Sequence, residues 1–276
     1  MIITKIKTHI KADTQLENLD YKLNYWISSS IRGAIIAKLS DEYCMHNKIC
    51  CKQCENLLCP VKVLFYTDKE DVSNNLIINS TVVNKEEIDL NIILFGQAIV
   101  YKNILLRLLK EGIEINSNGS KIKFKSFDTN TDTFNLDMAY KEKDIKSLTI
   151  KIESPLRLQE SALDLSFESI ARIVMTRIRS IERTMGIDHS FDYKELSEKS
   201  KEIVLLDKNT RIVNLYRYST NHNRRMEIKC LDGYITYTGD NLKYFYNILK
   251  LCETFNIGKW TTMGLGQIRI IEEVGH

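Results

Sequence analysis

Residues 2–10, IITKIKTHI, alternate apolar and polar side chains, the period of a strand with one buried face. From 23 to 42 the period changes. Leu23, Ile27, Ile31, Ile35 and Leu39 recur at i, i+4, which predicts a helix with one apolar stripe. After a cysteine-rich segment, VKVLF, NLIINS and IDLNIILFG read as strands. AIVYKNILLRLLKEG reads as an amphipathic helix stopped by Gly112, and KIKFKSF as a further strand. The same order then returns. SLTIKIESPLRL predicts a strand stopped near Pro155, and Phe167, Ile170, Val174, Ile178, Ile181 and Met185 mark one side of a helix ended by Gly186. RIVNLYRYS and RMEIKCLDGYITYTG predict strands, NLKYFYNILKLCETF a helix, and QIRIIEEV the last strand.

This succession predicts an α+β chain of two ferredoxin-like (βαββαβ) units in tandem, joined in the polar stretch near 139–146. The expected first unit is 1–142, with a cysteine-rich insertion at 44–59. The expected second is 143–276, with a glycine-rich loop at 258–266. A fold of this kind hosts many functions and names none.

Composition narrows the field. The chain has 276 residues and 43% hydrophobic content, enough to bury a core, and a net charge of only +3, so a polyanion partner would need a local basic surface. The start, MIITKIKTHIKAD, lacks the charged then apolar regions of a signal peptide, and no apolar run approaches a membrane span. A cytoplasmic protein without a membrane partner is expected. Five of the seven cysteines fall between Cys44 and Cys59, a crowding that suggests metal rather than disulfides in a reducing compartment. Cys44, Cys51, Cys54 and Cys59 give C-x6-C-x2-C-x4-C, a spacing from which four thiolates can surround a tetrahedral ion, with Cys50 spare. Structural zinc is the expectation; an iron–sulfur centre or reduced free thiols are the alternatives. Cys230 and Cys252 fit buried apolar positions.

Local basic surface is found in the second half. Arg172, Arg179 and Arg183 fall within about 40° of one another on a helical wheel, opposite the apolar stripe. One such helix face is ordinarily just solvated. YRYSTNHNRRMEIK, 216–229, adds Arg217, Arg224, Arg225, Lys229 and His222 to two tyrosines, a mixture of phosphate neutralisers and stacking rings suited to single-stranded RNA. GKWTTMGLG then places three of the chain's 11 glycines in nine positions. Such a loop either turns tightly or forms a concavity of backbone amides for an anion, with Lys259 beside it. It lacks the order of a nucleotide-binding P-loop, so RNA backbone is the better anion.

Together these segments resemble a known family. GKWTTMGLGQIRI resembles the C-terminal signature of the CRISPR-associated repeat-RNA endoribonucleases of the RAMP superfamily. SIRGAIIAKL (30–39), the cysteine cluster followed by PVKVLF, SPLRL (154–158) and RYSTNHNRRMEIKCLDGYITYTG (217–239) support it in order along most of the chain. The resemblance implies a protein that binds the repeat of a precursor CRISPR RNA and cuts it once, with no cofactor for catalysis. It also implies RNA contacts at Gly258, Lys259, Gly264, Gly266, Arg217 and Arg225. A non-cutting RAMP subunit that holds guide RNA among the subunits of an effector complex is the alternative.

Metal-free cleavage needs the neighbouring 2′-hydroxyl deprotonated and the departing 5′-oxygen protonated, work suited to histidine, with tyrosine able to donate or position. His46 closes the first helix with Tyr43 and Lys48 nearby, a location that resembles where several members of the superfamily carry their proton-transferring residue; zinc ligation or an exposed helix end are its alternatives. His222, in the basic loop, is the second candidate, as acid or as phosphate contact. His276 is terminal, His189 has no obvious companions, and a structural role is expected of His9.

Overall fold

The computed structural model describes residues 1–14, 27–44, 54–66, 73–117, 120–138, 141–158, 164–188, 191–219 and 224–273. The chain forms two compact units. One comprises Met1–Asp137 with Arg183–Met185 and Thr262–Gly264, and the other the remainder. Each is a mixed α+β unit built on one antiparallel sheet.

In the first unit the order is β1 (Ile2–Ala12), α1 (Ile27–Tyr43), α2 (Pro60–Phe65), β2 (Leu76–Val82), β3 (Glu87–Phe95), α3 (Lys102–Glu111), β4 (Ile113–Ser117) and β5 (Ser120–Asn135). The sheet order is β2-β3-β1-β5-β4, with β1 central. Its alternation works as the period demands. Ile6, Thr8, Ile10 and Ala12 are buried, whereas Lys7, His9 and Lys11 on the other face are exposed. The buried face meets Ile31, Ile35 and Leu39 of α1 and Leu105, Leu108 and Leu109 of α3 in one apolar core.

In the second unit the order is β6 (Ser147–Leu156), α4 (Phe167–Met185), α5 (Tyr193–Ser200), β7 (Val204–Ser219), β8 (Arg224–Thr238), α6 (Tyr246–Phe255) and β9 (Ile268–Glu273). The sheet runs β7-β8-β6-β9. Helix α4 buries Phe167, Ile170, Val174, Ile178 and Ile181, on the order of 10 kcal/mol of apolar transfer before ordering entropy is subtracted. Phe167 meets Tyr237 and Phe245 edge-on, with ring centres 4.9 Å apart in each pair, and the Tyr237 hydroxyl donates to the Leu165 carbonyl at 2.9 Å. The start of α4 is thereby fixed to β8.

Several elements differ from the sequence expectation. VKVLF is not a strand but most of helix α2. Pro60 opens it with a fixed φ and no N–H to give a sheet, and the Val63 N–H donates to the Cys59 carbonyl at 3.0 Å. A run of five residues, four of them apolar, fits a buried strand or a buried helix equally, so its period cannot decide. The pattern of the chain does not predict β4 or α5, and KIKFKSF is only part of the 16-residue β5. β6 continues through Pro155 to Leu156, but its ladder with β8 breaks register between Ile152 and Leu156, which accommodates the missing N–H.

Candidate nucleic-acid interface

The glycine stretch follows α6 and leads into β9. Its backbone is held mainly by the end of β6. The Lys259 N–H donates to the Arg157 carbonyl at 3.0 Å and the Gly266 N–H to the Pro155 carbonyl at 3.1 Å. The Gln267 N–H donates to Ser154 Oγ at 2.9 Å, and the Ile257 N–H closes the loop on the Gly266 carbonyl at 2.8 Å. A Cβ on Gly258 would stand 2.5 Å from the Arg157 carbonyl oxygen, and one on Gly266 1.8 Å from that of Ile257, both with positive φ. Gly264 and Gly266 are buried. These glycines therefore serve close backbone packing, and the amides of Lys259 and Gly266 are committed within the fold rather than offered to an anion.

The outward chemistry of the stretch lies in its side chains. Lys259 is exposed and Trp260 half-buried, and the Arg157 guanidinium stands over the Trp260 ring, 3.8 Å from its centre. Beneath them Asn256 is fully buried with φ 56°, and its Nδ2 donates to the carbonyls of Leu265 at 3.2 Å and Thr261 at 3.4 Å. Arg177 of α4 donates through Nε and Nη2 to the Phe255 carbonyl at 3.0 and 2.8 Å, which fixes the end of α6. Burial pushes the Arg177 guanidinium down to about 10. Arg157 belongs to SPLRL and Trp260 to the glycine stretch, yet neither carries a sequence signal of its own. Their meeting is produced by the fold.

On α4, Arg172, Arg179 and Arg183 are all exposed, on the face opposite the apolar stripe. Arg172 reaches Glu168 at 3.4 Å, and Arg179 lies over the Tyr193 ring, 4.0 Å from its centre. The Tyr193 hydroxyl donates to the buried Glu182 at 2.7 Å, and burial first, then that carboxylate, raises its pKa.

The β7–β8 ladder runs from Val204 opposite Thr238 to Ser219 opposite Arg224, while β6 covers β8 only as far as Leu231. Among the described residues the distal hairpin is thus two-stranded. Arg217 stands opposite Met226 and Arg225 opposite Tyr218 in it. Lys229 is exposed, and the Tyr216 hydroxyl donates to Glu227 at 3.3 Å. His222 lies outside the described residues.

In the first unit, Tyr43 ends α1, half-buried. Arg107 of α3 donates to its hydroxyl at 3.2 Å while also pairing with Glu42 and, at 3.0 Å, Glu111. Lys38 first and Arg107 second hold the Glu111 carboxyl below its ordinary range. His46 and Cys51 lie outside the described residues. Cys44 and Cys54 are half-buried free thiols and Cys59 is buried, and among the described residues no three His, Cys, Asp or Glu gather as a metal site. His9 is exposed on β1 with Nδ1 2.5 Å from Asp89.

Residues 150–268, which hold Arg157, the α4 arginines, the hairpin and the glycine stretch, match the family model described as CRISPR-associated endoribonuclease Cas6. Over this span the chain is similar to the Cas6 endoribonucleases. Residues 3–131 match a separate model described as an N-terminal domain. Solved Cas6 structures share the fold at low identity. Thermus thermophilus Cas6 has a TM-score of 0.60 at 10% identity, covering 98% of this chain and 98% of that one. A Cas6 product complex has a TM-score of 0.61 at 9%, covering 99% of each chain. A Cas6-RT-Cas1–Cas2 complex has a TM-score of 0.57 at 11%, covering all of this chain and 29% of that one. No curated protein matches the sequence. Among the described residues no helix is long and apolar enough to cross a membrane.

Proposed function

We propose that the chain binds the repeat of a precursor CRISPR RNA and cuts it once, without a metal ion in the chemistry. The observation that carries this is the Cas6 endoribonuclease match at 150–268, which falls on the exposed cations of the second unit. The sheet order 2-3-1-4, read from each unit's first strand with β5 as the fourth strand in the first unit, supports the ferredoxin-like reading of both, with a boundary near 142 and a cysteine-rich insertion at 44–59.

In the step proposed, the 2′-oxygen attacks the adjacent phosphorus, the P–O5′ bond breaks, and the 2′-hydroxyl proton passes to a base while an acid protonates O5′. A 2′,3′-cyclic phosphate and a 5′-hydroxyl result. His46, Tyr43 and His222 are the proposed proton movers and positioners. Lys259, Arg217, Arg224, Arg225, Arg172 and Arg179 are the proposed RNA contacts, and Gly258, Gly264 and Gly266 shape the loop that presents Lys259. Effector-complex proteins are proposed as further partners; that a structurally similar chain is found in a Cas6-RT-Cas1–Cas2 complex supports CRISPR protein partners in general. Structural zinc at Cys44, Cys51, Cys54 and Cys59 rests on spacing alone; zinc analysis of the purified chain at about one ion, or none, decides it.

The test is end-labelled repeat RNA in excess EDTA. One cut is expected, abolished by a single 2′-deoxy substitution at the scissile nucleotide. Binding without cutting would leave an RNA-holding subunit instead. Unaltered cutting by both His46→Ala and His222→Ala would remove those two assignments.

A further inference from the structure

We propose that Arg157 and Trp260 form a stacking subsite for one unpaired nucleobase of the RNA, with Lys259 as the anchor for its phosphate. This rests on the RNA-binding reading above and names what part of the RNA these three residues take.

Trp260 has φ 62°, one of two non-glycine residues with positive φ among those described. In a loop rich in glycine, the residue best suited to that conformation is not used here, and a large half-buried indole is held there instead. The backbone explains how. Lys259 N–H bonds the Arg157 carbonyl and Gly258 admits that carbonyl where a side chain could not, so the loop and the end of β6 are locked in register. That register brings the guanidinium over the indole at 3.8 Å. The Arg157 guanidinium and the Lys259 ammonium make no hydrogen bond or ion pair among the described residues, unlike Arg107, Lys143 or Arg211, which are each paired with a carboxylate.

An arginine supported on one face by a ring keeps its N–H groups in its own plane for acceptors and offers its other face to a flat group. A nucleobase is flat whatever its sequence, and a phosphate lies one backbone step from it, within the reach of a neighbouring lysine. The pair therefore selects an unpaired nucleotide over a base-paired one. Arginine cannot be replaced by lysine at such a position without losing the face while keeping the charge.

The experiment titrates the full chain with single-stranded repeat RNAs carrying 2-aminopurine at successive positions, and follows cleavage in the same samples. One position is expected to be quenched on binding. Trp260→Ala and Arg157→Lys are each expected to weaken binding about tenfold, and the loss is expected to vanish when that nucleotide is made abasic. Lys259→Ala is expected to keep its loss on the abasic RNA and to reduce the salt slope by about 0.7. Wild-type affinity in Arg157→Lys, or a Trp260→Ala loss unchanged on abasic RNA, would overturn the subsite; thermal melts of both variants separate such results from misfolding. If the wild type cuts while the subsite fails, the functional reading survives. If stacking is found without cleavage, the subsite survives and that reading falls. With no RNA bound, both fall.

Discussion

Gly266 and Gly186 share a positive φ but not a neighbourhood. A Cβ at Gly266 would lie 1.8 Å from the Ile257 carbonyl oxygen, whereas one at Gly186 would meet nothing within 4 Å. Gly186→Ala should therefore cost only backbone strain, about 1–2 kcal/mol. Gly266→Ala must also displace backbone, and should cost at least twice as much by urea unfolding. Equal costs would mean that the loop is not packed as described. Burial pushes the Cys230 thiol from 9.0 up to about 11 and that of Cys252 up to about 12. Since the folded values are raised, their stabilisation is complete below the unfolded value and is lost as pH rises through the folded ones. Stability should fall between about pH 9 and 12, by about 1.4 kcal/mol per pH unit for each thiol. Cys252→Ala should flatten that slope in denaturation series, and an unchanged slope would contradict the assignment. At this scale the sequence exposes part of the candidate site. Arginines opposite an apolar stripe are visible from spacing, and all three prove exposed. Arg157 meeting Trp260 joins segments about a hundred residues apart in the chain, and no local pattern encodes it.

Among elements, the β7–β8 hairpin is the one whose form bears most on RNA. Among the described residues its distal half pairs with no third strand, and one face of it buries Leu215, Ile228 and Cys230. Replacing Arg217, Arg224 and Arg225 together by alanine should lower affinity for single-stranded repeat RNA and reduce the slope of log K against log salt by about 2, near 0.7 for each lost phosphate contact. An unchanged slope would exclude the hairpin from the backbone contact. The long periodic helices are legible because several turns repeat the same stripe, as Ile170, Val174, Ile178 and Ile181 do on α4. α2 is not, because six residues opened by proline hold too few turns for a period to show. The short α5 escapes for the same reason, although Asp192 caps it by accepting from the N–H groups of Lys194 and Glu195 at 3.0 Å.

For the molecule as a whole, the repeated order of strands and helices is readable from periodicity, and each unit carries one antiparallel sheet. The net charge of +3 is a poor guide to an RNA surface, because cations paired with carboxylates, such as Arg107 and Arg211, count in the sum as much as Arg157 and Lys259, which have no carboxylate partner among the described residues. What the chain does with RNA is decided by a precursor containing two repeats and one intervening spacer, incubated with the purified protein in EDTA and resolved by length. The account predicts one cut at the same position in each repeat, releasing a single product one repeat-plus-spacer long. A precursor that is bound and left intact, or degraded throughout its length, would contradict it.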